Sequence, residues 1–372
     1  MGDANPAQLA PYVAWGAFAL AFVFGAVANK TDFCTMGAVS DWVNMGHTGR
    51  MRMWLLAIGV AILGANALHL AGAIDLSKSI YPGPNFTWLS YIVGGFLFGV
   101  GMTLGSGCGS KTLIRIGGGN LKSVVVFIVT GIVAYMTLRG ILGAFRVGVL
   151  EQASLTLAGG QDLPSLLSRL AGGDKKTWIL ALSTVAGGGL IAYAYGSKDF
   201  RSSFDYTLGG VVTGLVVVGG WYVSGHIGHV QEDPQTLQEA FVATNTGRME
   251  AFSFVAPLAF SLEYLMLWTD KSRIVTFGIA SAAGVILGSL AYALASHKFR
   301  WEGFRDAEDT ANHLVGAALM GFGGITALGC TIGQGISGFS TLALGSIITF
   351  LAIVAGAAAT MKWQYARMLK ET

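Results

Sequence analysis

The sequence predicts an all-α polytopic membrane protein, with about nine to ten transmembrane helices plus short re-entrant helices. Three observations predict it. Charged residues make up 12% of the chain, about half the ~25% of a soluble protein, and the mean hydropathy is +0.60. Several apolar stretches reach the ~20 residues that cross a bilayer as helix. Finally, one phrase is written twice. VGGFLFGVGMTLGSGC ends at Cys108 and VGAALMGFGGITALGC ends at Cys330. The copies align without a gap, placing Val93 on Val315, Gly94 on Gly316, Gly99 on Gly321, Gly101 on Gly323 and Gly107 on Gly329. The repetition divides a single integral membrane domain, residues 1–372, into two pseudo-symmetric repeats at about 11–160 and 205–361.

In chain order, the apolar segments fall at about 11–29, 52–73, 88–106, 122–142, 177–196, 205–225, 251–268, 274–296, 311–328 and 341–361. The first ends in Ala26-Val27-Ala28, like a signal-peptidase site, but Asp3 and the lack of Lys or Arg before it argue for a retained helix. Four shorter pieces do not fit as full spans: 33–46, 108–118, 330–339 and the moderately polar 144–158, which reads as interfacial. Both repeat helices run into glycines, at Gly105-Ser106-Gly107-Cys108-Gly109 and at Gly329-Cys330-Thr331, with Gly333 and Gly335 just beyond. Glycine weakens a helix, so each copy reads as a spanning helix, a sharp turn and a short re-entrant helix starting near the cysteine. Irregular backbone at membrane depth survives where it is buried in protein or lines a cavity, and paired broken helices point to a transport site. The chain has 54 glycines, roughly double the usual ~7%, which suits close helix packing. The loop holding Lys298, Arg300 and Arg305, and the tail holding Lys362, Arg367 and Lys370, are expected on the cytoplasmic side.

The same composition excludes several functions. A net charge of +3 with no basic stripe gives no support to nucleic-acid binding. No GxxxxGK[ST] motif is present, so this chain does not use ATP. The three cysteines form no CxxC, which removes the usual zinc and dithiol spacings, and no metal or other cofactor is called for. All three lie in apolar, glycine-rich sequence, unlike a disulfide framework.

A Gly-Cys at the start of a short buried helix has a chemical use. The first turn leaves N–H groups unpaired and presents the positive end of the dipole, an anion site that needs no lysine in the membrane core. Gly107, Gly109 and Gly329 would let a ligand approach the backbone closely. A thiol adds preference for a ligand with a charged terminal sulfur, since sulfur is soft and S–H is a weak donor. A lone membrane cysteine is commonly just a small buried hydrophobe; the repetition sets Cys108 and Cys330 apart. Cys34 has no counterpart 222 residues on, where Ala256 stands, but follows the first span directly.

Weaker candidates follow. Lys111 and Arg115 come three and seven residues after Cys108, roughly on one helix face. They either attract the anion or snorkel at the membrane edge. Gln334 either donates to ligand oxygens or ties down its own loop. Glu263 sits in an apolar run near Asp270 and reads as part of a structural ion pair. His226 and His229, in the polar loop 226–250, lack the cysteine partners of a metal site.

The segments TDFCTMGAVSDW, GSGCGSKTLIR and LGCTIGQGISGFS resemble the YeeE/YedE family of bacterial inner-membrane proteins, and the similarity runs through nearly the whole chain. The resemblance implies thiosulfate uptake by a multi-pass protein of inverted repeats with re-entrant helices. It also implies three cysteines along an hourglass-shaped path, corresponding to Cys34, Cys108 and Cys330, with the last two at the constriction. Thiosulfate would pass by transient S–H···S hydrogen bonds, and a small TusA-like sulfur-carrier protein is the implied cytoplasmic partner. Two alternatives stay open: a membrane thiol oxidoreductase or sulfurtransferase that carries a cysteine persulfide, and transport of a selenium-containing or other sulfur anion. No histidine adjoins either repeat cysteine to serve as a base, which favours a permease over an enzyme.

Overall fold

A computed structural model describes residues 6–234 and 236–371. Fifteen α-helices follow one another: α1 Pro6–Lys30, α2 Thr35–Met45, α3 Gly49–Leu70, α4 Trp88–Leu104, α5 Gly109–Gly117, α6 Leu121–Arg139, α7 Ile141–Phe145, α8 Leu163–Leu170, α9 Lys175–Tyr195, α10 Lys198–Ser202, α11 Phe204–Tyr222, α12 Ala256–Met266, α13 Phe277–Ala295, α14 Ala307–Thr326 and α15 Leu344–Glu371. Strand structure among the described residues is confined to two-residue loop ladders. β1 (Asn85–Phe86) pairs with β2 (Leu155–Thr156), and β3 (His229–Val230) with β4 (Ala240–Phe241), both antiparallel.

Eight helical stretches among the described residues are long and apolar enough to cross a membrane. α14 has spanning length, 20 residues, but opens on Glu308 and Asp309 and is not one of the eight. The segment 251–268 departs from expectation. Residues 251–255 are non-helical, and α12 has 11 residues, about 16 Å of helix. Hydropathy registers the apolar run but not its backbone, and Pro257 in the first turn starts the helix late. The piece 144–158 divides into α7, a π-helical turn at Arg146–Leu150 and β2.

Glycine sets the packing. In an antiparallel pair, Gly94 of α4 lies on Gly323 of α14 and Gly101 on Gly316; a Cβ at Gly94 would come within 2.8 Å of the Gly323 carbonyl oxygen. The backbones therefore touch, as small residues allow in lipid, where little hydrophobic force acts between helices. α15 covers another side of α4, while α6 packs on α14. α1 runs parallel to α13, and α11 parallel to α3. The charged loops gather at two ends. Lys30 meets Asp205 at 3.8 Å, Lys122 meets Asp309 at 2.9 Å, and Arg367 of the tail meets Glu308 at 3.3 Å. These contacts put the tail and the 296–306 loop at one end of the bundle. At the other end Glu239 receives hydrogen bonds from Lys78 and, at 2.5 Å, His229.

Candidate functional site

Each cysteine occupies the residue before a short helical segment. Cys34 is the N-cap of α2, Cys108 of α5, and Cys330 precedes the helical residues 331–340, whose middle, Gly333–Gly338, is π-helical. The thiols are free and 5%, 1% and 0% exposed respectively. The turns that bring the chain in are alike. Ser106 and Leu328, each two residues before its cysteine, have φ of 57° and 58°. This left-handed conformation is costly for a residue with a Cβ; both hold it because the next N–H closes the preceding helix, Gly107 donating to Met102 at 2.8 Å and Gly329 to Gly324 at 2.8 Å. Asp32, two residues before Cys34, has φ of 51°.

The first-turn N–H groups are not all free, as the sequence alone would have them. Gly37 N–H points at its own cap, Cys34 Sγ, at 3.4 Å, and Gly333 N–H points at Cys330 Sγ at 3.4 Å. Cys330 Sγ also lies 3.2 Å from the Phe254 N–H and 3.9 Å from Ser253 Oγ. Cys108 differs: its Sγ sits 3.2 Å from Ser110 Oγ and caps no N–H of α5. α5 therefore keeps the least satisfied helix start of the three.

Phe254 joins the three neighbourhoods. Its N–H meets Cys330, and Gly109, next to Cys108, packs on its carbonyl so closely that a Cβ would lie 3.1 Å from the Phe254 carbonyl carbon. Its ring stacks on Phe24 at 5.8 Å; Phe24 meets Phe33, next to Cys34, edge-on at 6.3 Å; and Phe33 stacks on Trp54 at 4.8 Å. A second tie runs from Lys111 to Asp32 at 3.1 Å. Lys111 thus forms a surface pair with a carboxylate 71% exposed, and Arg115 donates to the Ser106 carbonyl at 2.8 Å, bracing the turn. Gln334 ties down its own loop: Nε2 donates to the Ala327 carbonyl at 2.5 Å, while buried Oε1 finds no partner among the described residues. Gly107, at φ 158°, faces the Lys111 stem, and Gly329 faces Gln334.

Two cavities approach the Gly-Cys turns from opposite ends. One, of about 140 Å3, is mostly apolar and is lined by Tyr81, Arg146, Ser253, Leu328 and Gly329 among others. The other, of about 370 Å3, is polar and is lined by Ser106, Arg115, Lys122, Glu302, Arg305 and His313. Leu138 lines the first and Lys122 the second. Both lie on α6, sixteen residues and so about 24 Å apart.

Sequence reasoning missed Ser253 and Phe254, which meet Cys330 across the fold. A signal exists: Phe33-Cys34 before α2 and Phe254-Val255 before α12 are both a phenylalanine and an N-cap ahead of an 11-residue helix. The minor candidates lie elsewhere. Glu263 accepts from Tyr135 at 3.0 Å and pairs with Arg273 at 3.1 Å, a structural ion pair. His229 pairs with Glu239, and His226 Nδ1 lies 3.0 Å from the Ala73 carbonyl oxygen.

The chain is similar to known proteins over most of its length. The family described as Sulphur transport matches residues 30–359. The chain is 25% identical over 329 residues to the Thiosulfate transporter TsuA of Escherichia coli (strain K12), covering 84% of each chain. It is 24% identical over 363 residues to the Thiosulfate transporter TsuA of Spirochaeta thermophila, covering 94% of this chain and 98% of that one. A multi-pass helical protein whose family match runs through all three cysteine turns, this chain belongs to the sulphur-transport family.

Proposed function

We propose that the protein takes up thiosulfate across the bacterial inner membrane, passing the anion through a constriction formed at Cys34, Cys108 and Cys330. The observation that carries this reading is the placement of three free, buried thiols at three helix starts that meet through Phe254, Phe24 and Phe33. Thiosulfate has a hard oxygen end and a soft terminal sulfur. An S–H donor answers the sulfur, and the uncapped start of α5 answers the charge. Hydrogen bonds to neutral thiols are weak enough to break at each step, so the anion moves on without a covalent adduct, and the protein acts as a permease rather than an enzyme. Gly109 lets the Phe254 backbone close on the turn at Cys108, so the glycine there brings two of the cysteine neighbourhoods together.

The end bearing Lys30, Lys298, Arg305 and Arg367 faces the cytoplasm by the positive-inside rule, and a TusA-like sulfur carrier would collect the product there. The matching turns at Ser106 and Leu328, and the pairing of α4 with α15 and of α14 with α6, support two inverted repeats within one domain. Radiolabelled thiosulfate uptake into vesicles holding the purified protein tests the function. Uptake that excess sulfate does not compete away is the expected result; absence of uptake, or a stable cysteine persulfide found by mass spectrometry after turnover, would defeat it.

A further inference from the structure

The cavity next to Cys330 contains a donor that neither the fold nor the thiol path uses. Tyr81 lies between α3 and α4, 4% exposed, with its ring edge-on to Trp221 at 6.1 Å. Trp221 is itself fixed, donating from Nε1 to Ser340 Oγ at 2.9 Å. The ring of Tyr81 is therefore held, yet its hydroxyl meets no hydrogen-bond partner among the described residues while the residue lines the cavity. Tyr81 lines the cavity, so its hydroxyl is a donor available to an anion held there. Ser253 lines the same cavity, and its Oγ is 3.9 Å from Cys330 Sγ. Two neutral donors thus share a cavity that ends at Gly329, the residue before Cys330.

The charged groups on that cavity are engaged elsewhere. Arg146 pairs with Glu151. Glu250 Oε1 accepts from the Asn245 N–H at 3.0 Å, the Thr246 N–H at 2.8 Å and the Thr246 hydroxyl at 2.7 Å. That cavity therefore offers hydroxyls rather than a free cation, which suits an anion that must leave again.

We propose that the Tyr81 and Ser253 hydroxyls bind the oxygen end of the transported anion beside Cys330 and so direct its terminal sulfur to the thiol. The proposal rests on the thiosulfate reading and adds a specificity element to it. Sulfate can satisfy the hydroxyls but has no soft sulfur for Cys330; thiosulfate satisfies both.

Tyr81→Phe keeps the ring and its contact with Trp221 and removes only the hydroxyl; Ser253→Ala removes the other donor. In vesicles holding the full-length protein, each variant should raise KM for thiosulfate about ten-fold, the loss of one hydrogen bond to an anion, with maximal rate and unfolding temperature unchanged. A KM within about two-fold of wild type in Tyr81→Phe, or a fall in maximal rate alone, overturns the proposal. Wild-type protein that moves no thiosulfate defeats the reading beneath it, an outcome distinct from wild-type uptake with an unaltered KM in the variants.

Discussion

A single methyl group at Gly109 should disturb two cysteines at once. Gly109 opens α5 directly after Cys108, and a Cβ there would overlap the Phe254 carbonyl oxygen and reach its carbonyl carbon at 3.1 Å and its Cβ at 3.5 Å. Phe254 has nowhere to retreat: it is 0% exposed, its N–H is on Cys330 Sγ, and its ring is stacked on Phe24. Overpacking of this kind costs ~1–3 kcal/mol, against a helix-propensity gain for alanine of at most ~1 kcal/mol. Gly109→Ala should therefore lose ~1–2 kcal/mol and loosen the contact between Phe254 and Cys330. Gly188 on α9 is the control, since a Cβ there meets nothing within 4 Å, and Gly188→Ala should be neutral or gain up to ~1 kcal/mol. The assay is thermal unfolding of purified protein together with the rate of Cys330 alkylation. The reasoning is refuted if Gly109→Ala and Gly188→Ala unfold alike and Cys330 reacts at the wild-type rate in both.

Other perturbations have defined outcomes. Glu263→Ala strips the Tyr135 hydroxyl and Arg273 of their shared acceptor, which is 4% exposed. It should cost ~2 kcal/mol in unfolding measurements, with Glu263→Gln recovering part of it through the Tyr135 bond. The Lys78 ammonium, hydrogen-bonded to Glu239, and the His229 ring beside it hold that carboxyl below the usual range. Because the folded form binds its proton less readily than the unfolded form, the stabilisation is present above the unfolded value and lost as pH falls through the folded one. The unfolding-temperature difference between wild type and Glu239→Gln should be present at neutral pH, begin to shrink as pH falls through the unfolded carboxylate range of about 4.3, and be lost only below the lowered folded value.

The spans were legible because a membrane helix is written locally, as about twenty apolar residues. The Gly-Cys turns were legible for a related reason: Gly105, Gly107 and Gly329 weaken the helix where it must break. Residues 251–255 were not, since a buried extended segment and a buried helix have the same apolar composition. The π-helical turn at Gly333–Gly338 was hidden too. Its glycines lie against Ser253, Phe350 and Ser346, residues distant in sequence or on another helix. The same distance hid Phe254, which reaches Cys330 across 76 residues. Lys111 and Gln334 showed the limit of residue type as a guide. A lysine and an amide near a thiol were open to two readings, a ligand contact or a structural tie, and residue type could not choose between them; Asp32 and the Ala327 carbonyl are their partners in the fold.

The central claim, that thiosulfate passes by the thiols at the helix starts, is tested most directly by uptake through Cys108→Ala and Cys330→Ala in vesicles. Both side chains are buried and free, and alanine leaves the turns at Ser106 and Leu328 intact. Each variant should fold and lose thiosulfate uptake, with Cys330→Ala unfolding at the lower temperature because the Phe254 and Gly333 N–H groups lose their acceptor. Uptake at the wild-type rate in both folded variants would contradict the account.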